Sequence, residues 1–319
     1  MAKMPRAAKT TVKVEEVFNA ALAALVEQVK CDRSILATIL CGSLSHDTVW
    51  SGSDIDLLLV TVDEKKVDKE SLYLYADGIN VHAILMPRAD FRRTAEGAVR
   101  NSFMHSLLAK GQLLYTHDET IAALCEHLQV LGQRDTQLQL LAAATHVLAS
   151  VYKAHKWLVT RGDLDYTAVW ILYSANGLAR IQVLEAGLLA DREVLPRALK
   201  LNPPFFKIVY TDILNARKTK PAIEAALSAI DEYLLQRART IFAPLMEHLT
   251  EVGEARSATE IEDHFKRNFG IAGVIGACEY LADQHLIGKA SLPVRLTKSS
   301  NIAVNEMAFF SGTTTANAW

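Results

Sequence analysis

Two aspartates stand two residues apart in the segment GSLSHDTVWSGSDIDL, which runs from Gly42 to Leu57. Asp54 and Asp56 open an apolar run, and side chains two apart on a strand point to the same face. Neighbouring carboxylates repel each other and raise one another's pKa unless a cation lies between them. A hard divalent cation such as Mg²⁺ takes oxygen ligands and commonly a phosphate-bearing partner. The spacing therefore predicts a metal–nucleotide site, or the remains of one, with both aspartates as metal ligands.

The surrounding sequence predicts the elements that would position these residues. Helical and alternating apolar patterns, and a turn at Asp77-Gly78, define a small α/β unit over residues 1–117. Its predicted elements are a helix over 13–30, strands over 34–41 and 54–62, a hairpin over 71–75 and 80–86, a helix over 90–110 and an edge strand over 112–116.

The remainder of the chain reads as two further parts. Helical stretches dominate residues 118–250, which predicts a helix bundle. These stretches are 119–130, 136–161, 166–187, a broken piece at 191–216, and 220–248. Residues 251–319 predict a winged-helix-like domain: a short helix from Ser257 with Glu260 at capping-box spacing, a helix over 270–285, and strands over 286–289 and 295–310. The expected fold class is α+β, a small mixed-sheet domain followed by an α-helical bundle and the winged-helix-like domain.

A strand, Gly42-Ser43, a short helix and a strand that begins Ser53-Asp54-Ile55-Asp56 follow one another in this order. This order resembles the polymerase-β-like nucleotidyltransferase superfamily, well over 13–117 and weakly over the helical part, since small members such as aminoglycoside nucleotidyltransferases carry a helix bundle there. The resemblance implies metal-dependent transfer of a nucleoside monophosphate from a nucleoside triphosphate such as ATP to a hydroxyl on a small molecule, protein or RNA. It also implies Mg²⁺ or Mn²⁺ as cofactor and a nucleotide-binding role for Ser53.

Elementary chemistry gives the Gly-Ser pair matching roles. Gly42 has no Cβ, so its backbone can approach a triphosphate closely. Ser43 can donate hydrogen bonds to a phosphate oxygen from its hydroxyl and its backbone amide.

The superfamily's third carboxylate has no counterpart on the strand Asn80–Met86, whose central residue is His82. Three interpretations follow. His82 acts as general base, because imidazole titrates near pH 6.5; or it is a nitrogen ligand, which favours Mn²⁺ or Zn²⁺ over Mg²⁺; or the protein is a catalytically inert nucleotide-binding sensor or regulator. An acid from the helical part could replace the missing one, and the candidates are Asp163, Asp165 and Glu185, each also explained as a solvated surface charge.

Composition restricts the partners and the compartment. The formal net charge is −2, so bulk electrostatics favour neither nucleic acid nor a membrane surface. The four cysteines are scattered, as is typical of buried residues in a reducing cytosol. No apolar run reaches the length of a membrane span, and the expected localisation is cytoplasmic. A DNA contact is disfavoured because the presumed recognition helix holds Glu279 and Asp283 but no Lys or Arg, whereas a homodimer is left open.

Three weaker signals remain. Arg100 and His105 have the Arg-x4-His spacing of a family of helical ribonucleases, a pattern short enough to arise by chance. A basic, aromatic helix face is interpreted as solvated rather than as part of a substrate cleft; it comprises His146, Lys153, His155, Lys156 and Trp157. Tyr166, Trp170 and Tyr173 recur at helical spacing, which core packing explains more simply than a base-stacking platform.

Overall fold

The structure is a computed structural model that describes residues 7–42, 44, 52–63, 70–96, 111–127, 133–188, 190 and 194–312. The chain divides into two compact units, residues 1–131 and 132–319. The first contains a five-stranded mixed sheet, and the second is mainly helical with a three-stranded sheet. The predicted α+β class is therefore confirmed. In the described residues, no helix is both long and apolar enough to span a membrane.

The first unit follows the predicted order of elements. These are α1 (Ala7–Val29), β1 (Ile35–Cys41), β2 (Ile55–Thr61), β3 (Ser71–Ala76), β4 (Ile79–Pro87), α2 (Arg88–Glu96), β5 (Gln112–Thr116) and α3 (Glu119–His127). The sheet has the strand order β3-β4-β2-β1-β5. Strands β2 and β4 pair in parallel, and the other pairs are antiparallel. The rest of the helix predicted over 90–110 lies outside the described residues.

One face of this sheet forms the core with α1. Phe18 and Leu22 of α1 pack among Ile55, Leu57 and Val81, all buried. Since side chains alternate between the faces of a strand, Asp56 and His82 lie on the opposite face. The strand that carries Asp56 is therefore anchored by its neighbours, and burial of Ile55 and Leu57 fixes which side the carboxylate faces.

The first unit extends beyond the predicted boundary at residue 117. Helix α3 packs against α2 and β5, and Arg88 at the start of α2 donates from Nε to Asp118 Oδ2 at 2.6 Å. The hydrogen bonds from Thr120 lower the pKa of Asp118, and the interaction with Arg88 adds to this effect. The helix predicted over 119–130 thus belongs to the sheet unit, which ends at residue 131.

The second unit begins with two long helices that pack along each other. They are α4 (Gln133–Arg161) and α5 (Leu164–Glu185), joined through Gly162, which has a left-handed φ of 60°. The helices that follow are α6 (Val194–Leu201), α7 (Pro203–Phe206), a π-helical turn (Lys207–Thr211), α8 (Asp212–Asn215), α9 (Lys220–Ile241) and α10 (Ala243–Val252). The predicted broken piece is thus a chain of short helices, because Pro203 and Pro204 interrupt the regular backbone bonding.

The C-terminal elements belong to the same compact unit. They are β6 (Arg256–Ser257), α11 (Ala258–Phe269), α12 (Val274–Asp283), β7 (Gly288–Val294) and β8 (Val304–Phe310), with the strand order β6-β8-β7. The capping box of Ser257 and Glu260 is formed as predicted. Helix α12 starts later than residue 270, since Gly270 and Gly273 both have left-handed φ. The winged-helix assignment and the division at 250/251 stay predictions.

Candidate functional site

Three side chains form a row across β2, β4 and β3 on the sheet face opposite α1. Asp56 is paired with His82, and His82 is paired with Tyr73. The Nδ1 atom of His82 lies 3.5 Å from Asp56 Oδ1, and both side chains are partly exposed. The row places a carboxylate, an imidazole and a phenol side by side on one accessible face of the sheet.

Asp54 immediately precedes β2 and is exposed, whereas Asp56 lies within β2 and is half-buried. Ile55 between them is fully buried. Within the described part of the chain, no group of three or more His, Cys, Asp or Glu side chains is arranged to hold a metal ion. The donor set nevertheless suits Mg²⁺, because this ion is commonly held by one or two carboxylates together with substrate phosphates and water. The assignment of Asp54 and Asp56 as metal ligands stays a prediction.

Gly42 immediately follows β1 and lies directly beside the carboxylate of Asp56. Its φ is +71°, and a Cβ at this position would lie 2.9 Å from Asp56 Cγ and overlap Asp56 Oδ2. Two features favour glycine here: its backbone conformation, which L side chains rarely adopt, and the space that the carboxylate fills. The role of Gly42 in phosphate binding stays a prediction. The structure indicates a second role for this glycine, which is to leave room for the Asp56 carboxylate.

Cys41 is the cross-strand neighbour of Asp56. It is paired with Asp56 across β1 and β2 and is buried. Burial raises the pKa of the Cys41 thiol to about 12, and the charges of Asp56 and Cys125 act in the same direction. The thiol therefore stays protonated at neutral pH and adds no negative charge to the site.

Tyr73 is a site residue that the sequence reasoning missed. Its ring stacks on His82 with the centroids 5.0 Å apart and an interplanar angle of 19°. The Tyr73 side chain is open to solvent, because the residue is 85% exposed. A signal was present: a two-residue turn at Asp77-Gly78 pairs residue 76 with 79, and therefore 73 with 82.

The remaining predicted site residues are distributed as follows. Ser53 is half-buried just before Asp54, and Ser43 lies outside the described residues, as do Arg100 and His105. The candidate replacement acids are all in the second unit. There, Asp163 caps α5 by accepting a hydrogen bond from the Tyr166 amide, and Glu185 accepts one from Arg237 Nε at 2.8 Å. Both carboxylates thus have structural roles.

The core-packing explanation is wrong for Tyr166 and Tyr173 on α5, whereas Trp170 is partly buried. Tyr166 is 41% exposed and Tyr173 is 65% exposed. The buried side of α5 is instead a separate stripe that includes Ile171 and Leu178. On α4, His155 contacts Asp231 at 3.1 Å, which raises the pKa of this histidine.

Comparisons with known proteins indicate the fold. The chain matches no protein-family model, and no curated protein sequence matches it. A crystal structure of a nucleotidyltransferase-like protein from Exiguobacterium sibiricum 255-15 is similar, with a TM-score of 0.63 at 17% sequence identity. The similarity covers 92% of this chain and 98% of that chain. It establishes a nucleotidyltransferase-like fold along almost the whole chain.

Proposed function

We propose that this protein is a metal-dependent nucleotidyltransferase that transfers a nucleoside monophosphate from a nucleoside triphosphate to a hydroxyl. The observation that carries the proposal is the position of the Asp56 carboxylate. This carboxylate lies against a glycine that has no room for a Cβ, on the sheet face opposite α1, and the exposed Asp54 precedes Asp56 by two residues. The fold shared with a nucleotidyltransferase-like protein supports the same function.

In the proposed reaction, the acceptor hydroxyl oxygen attacks the α-phosphorus. A new P–O bond forms, the bond to the bridging oxygen breaks, and pyrophosphate leaves. Bound Mg²⁺ or Mn²⁺ would neutralise the charge that develops on the phosphates. Asp54 and Asp56 supply the carboxylate oxygens that would hold this ion, and Gly42, Ser43 and Ser53 are the proposed contacts to the nucleotide.

His82 is the proposed acceptor of the proton that leaves the hydroxyl. Its Nδ1 faces Asp56 Oδ1 at 3.5 Å. A neutral tautomer with its proton on Nδ1 is favoured by this carboxylate, and it leaves Nε2 as the basic atom. Asp56 thus has a second use, because it orients the ring as well as providing a ligand oxygen.

Tyr73 is the proposed stacking partner of the nucleobase. Neighbouring strands are about 4.8 Å apart, so two strand spacings place its backbone about 10 Å from that of Asp56. The ring of Tyr73 is exposed and covers His82. A nucleotide whose phosphates lie at the carboxylates could therefore extend across β4 and place its base on Tyr73.

The test is pyrophosphate release with each of ATP, GTP, CTP and UTP in Mg²⁺ or Mn²⁺. Asp56→Asn should abolish release, and so should Asp54→Ala. The matched control is Asp77→Asn, an acid-to-amide change at the hairpin turn of the same unit, where asparagine tolerates the φ of 48°. No binding of any triphosphate to the wild type by calorimetry would refute the proposal.

A second candidate function is a catalytically inert nucleotide sensor. The observation that favours it is the imidazole of His82, which occupies the row position next to Asp56 where the superfamily has an acid. His82→Asp separates the two candidates. Turnover gained by this variant would mean that the missing carboxylate silences the site, whereas loss of existing turnover would mean that His82 already takes part.

A further inference from the structure

Four aromatic rings form a continuous strip on helices α4 and α5. Trp157 packs edge-to-face on Tyr166 at 4.7 Å, Tyr166 on Trp170 at 6.0 Å, and Trp170 on Tyr173 at 5.3 Å between ring centroids. These contacts fix the rings relative to one another. We call these four residues the aromatic strip: Trp157, Tyr166, Trp170 and Tyr173.

The aromatic strip is on the surface rather than in the core. Its two tyrosines are exposed, and its two tryptophans are partly exposed. Single exposed aromatic residues are common, but contiguous apolar patches mark binding surfaces. Rings that are held in place lose little conformational entropy when a ligand stacks on them.

Cations border the aromatic strip. The ammonium group of Lys153 lies 4.3 Å from the centre of the Trp170 ring, and Lys156 is exposed one helical turn further along α4. The nearby carboxylate of Asp163 is engaged in capping α5, and Asp165 lies exposed in the first turn. Exposed rings with adjacent lysines complement a ligand that has planar bases and a negative backbone.

We propose that the aromatic strip binds single-stranded nucleic acid by base stacking, with Lys153 and Lys156 contacting phosphates. From Tyr166 to Tyr173 the helix rises about 10 Å, enough for roughly two or three stacked bases. Stacking accepts every base, and the lysines would contact only phosphates. We therefore expect the aromatic strip to bind single strands without reading the edges of the bases. This binding surface does not depend on the proposed transfer reaction and stands or falls separately from it.

The experiment is fluorescence anisotropy of the full chain with a labelled oligothymidylate and with an abasic strand of equal length. Wild type should bind the strand with bases more tightly, and the slope of log K against log salt should be about −1.4 for two phosphate contacts. Tyr173→Ala should weaken binding by about five- to 150-fold, and Tyr173→Phe should not. Tyr152→Ala is the matched control, an exposed tyrosine of α4 outside the aromatic strip.

Three results would overturn the proposal. The first is no binding of either strand, and the second is equal affinity for the abasic strand. The third is equal weakening by Tyr173→Ala and Tyr152→Ala. Sedimentation of the same variants excludes a different occupant: self-association lost in Tyr173→Ala without strand binding would assign the aromatic strip to a second copy of the chain.

Discussion

Substitution of Gly42 by alanine perturbs the site through one methyl group. The residue has a φ of +71°, and adopting a left-handed conformation costs a non-glycine residue about 1–2 kcal/mol. The added Cβ overlaps the Asp56 carboxylate, and overpacking of this kind costs about 1–3 kcal/mol. The expected loss in free energy of unfolding is therefore about 2–5 kcal/mol, against a total of about 5–15 kcal/mol for a typical domain.

The chain offers a control that separates these two costs. Gly78 has a similar φ of +89°, but a Cβ there meets no atom within 4 Å. Gly78→Ala should lose only the conformational part, about 1–2 kcal/mol in urea unfolding. Gly42→Ala should lose more, and its nucleotidyl transfer should fall by about 10²-fold, because the carboxylate is pushed out of position.

A double-mutant cycle tests whether the excess cost at Gly42 comes from the Asp56 side chain. If the excess cost at Gly42 comes mainly from the Asp56 carboxylate, most of it should disappear when Asp56 is already alanine, which leaves only the Cβ contact at 3.0 Å, so the two changes should be non-additive by about 1–3 kcal/mol. Additive losses within about 0.5 kcal/mol would refute the proposed contact between Gly42 and the Asp56 carboxylate. So would an equal loss in Gly42→Ala and Gly78→Ala.

Three further predictions follow from described contacts. Tyr73→Ala should weaken nucleoside triphosphate binding in calorimetry by about 1–3 kcal/mol, whereas a base-free ribose triphosphate should bind both proteins equally; a loss with both ligands would contradict base stacking. Ser257→Ala removes a formed capping box and should lower the free energy of unfolding by about 1 kcal/mol in urea, and an unchanged value would contradict the N-cap assignment. The rings of His248 and His264 stack at 3.9 Å; burial lowers the pKa of both, and for His248 the charge of His264 adds to it. Since the folded pKa lies below the unfolded value of 6.5, stability should fall as pH drops through 6.5. His264→Gln should flatten this loss in thermal melts between pH 7 and 5, and an unchanged slope would contradict it.

The strands of the site were predictable because their signals are local. A buried apolar run, a Gly-Ser pair and a second run that begins Asp-x-Asp define β1 and β2, and the Asp77-Gly78 turn fixes the register of β3 and β4. That register already implied the pairing of Tyr73 with His82. Tyr73 was missing from the predicted site because only acids were sought beside Asp56, and not every residue in the row.

The contact between Gly42 and the Asp56 carboxylate could not be predicted from the sequence. A glycine that follows a strand is compatible with many turns, and only the pairing of β1 with β2 brings Gly42 to the Asp56 carboxylate. The start of α12 was misplaced for a related reason. Gly270 and Gly273 both adopt left-handed conformations, which delays the helix to Val274.

The error on α5 has a different cause. This helix carries two apolar stripes, and helical periodicity alone does not say which of them is buried. Residues on the stripe of Ile171 and Leu178 fill the interior, while the one with Tyr166 and Tyr173 faces outward. Close packing of α4 on α5 is visible at Gly177, where a Cβ would lie 2.6 Å from Val147 Cγ2.

The proposed site is tested most directly by locating a divalent ion and a nucleotide that are bound together. Crystals grown with Mn²⁺ and a non-hydrolysable nucleoside triphosphate would locate the ion by anomalous scattering. We predict an ion bound by oxygens of Asp54 and Asp56 and by the phosphates, with the base stacked on Tyr73. A nucleotide bound away from Gly42, or an ion that contacts neither aspartate, would contradict the account.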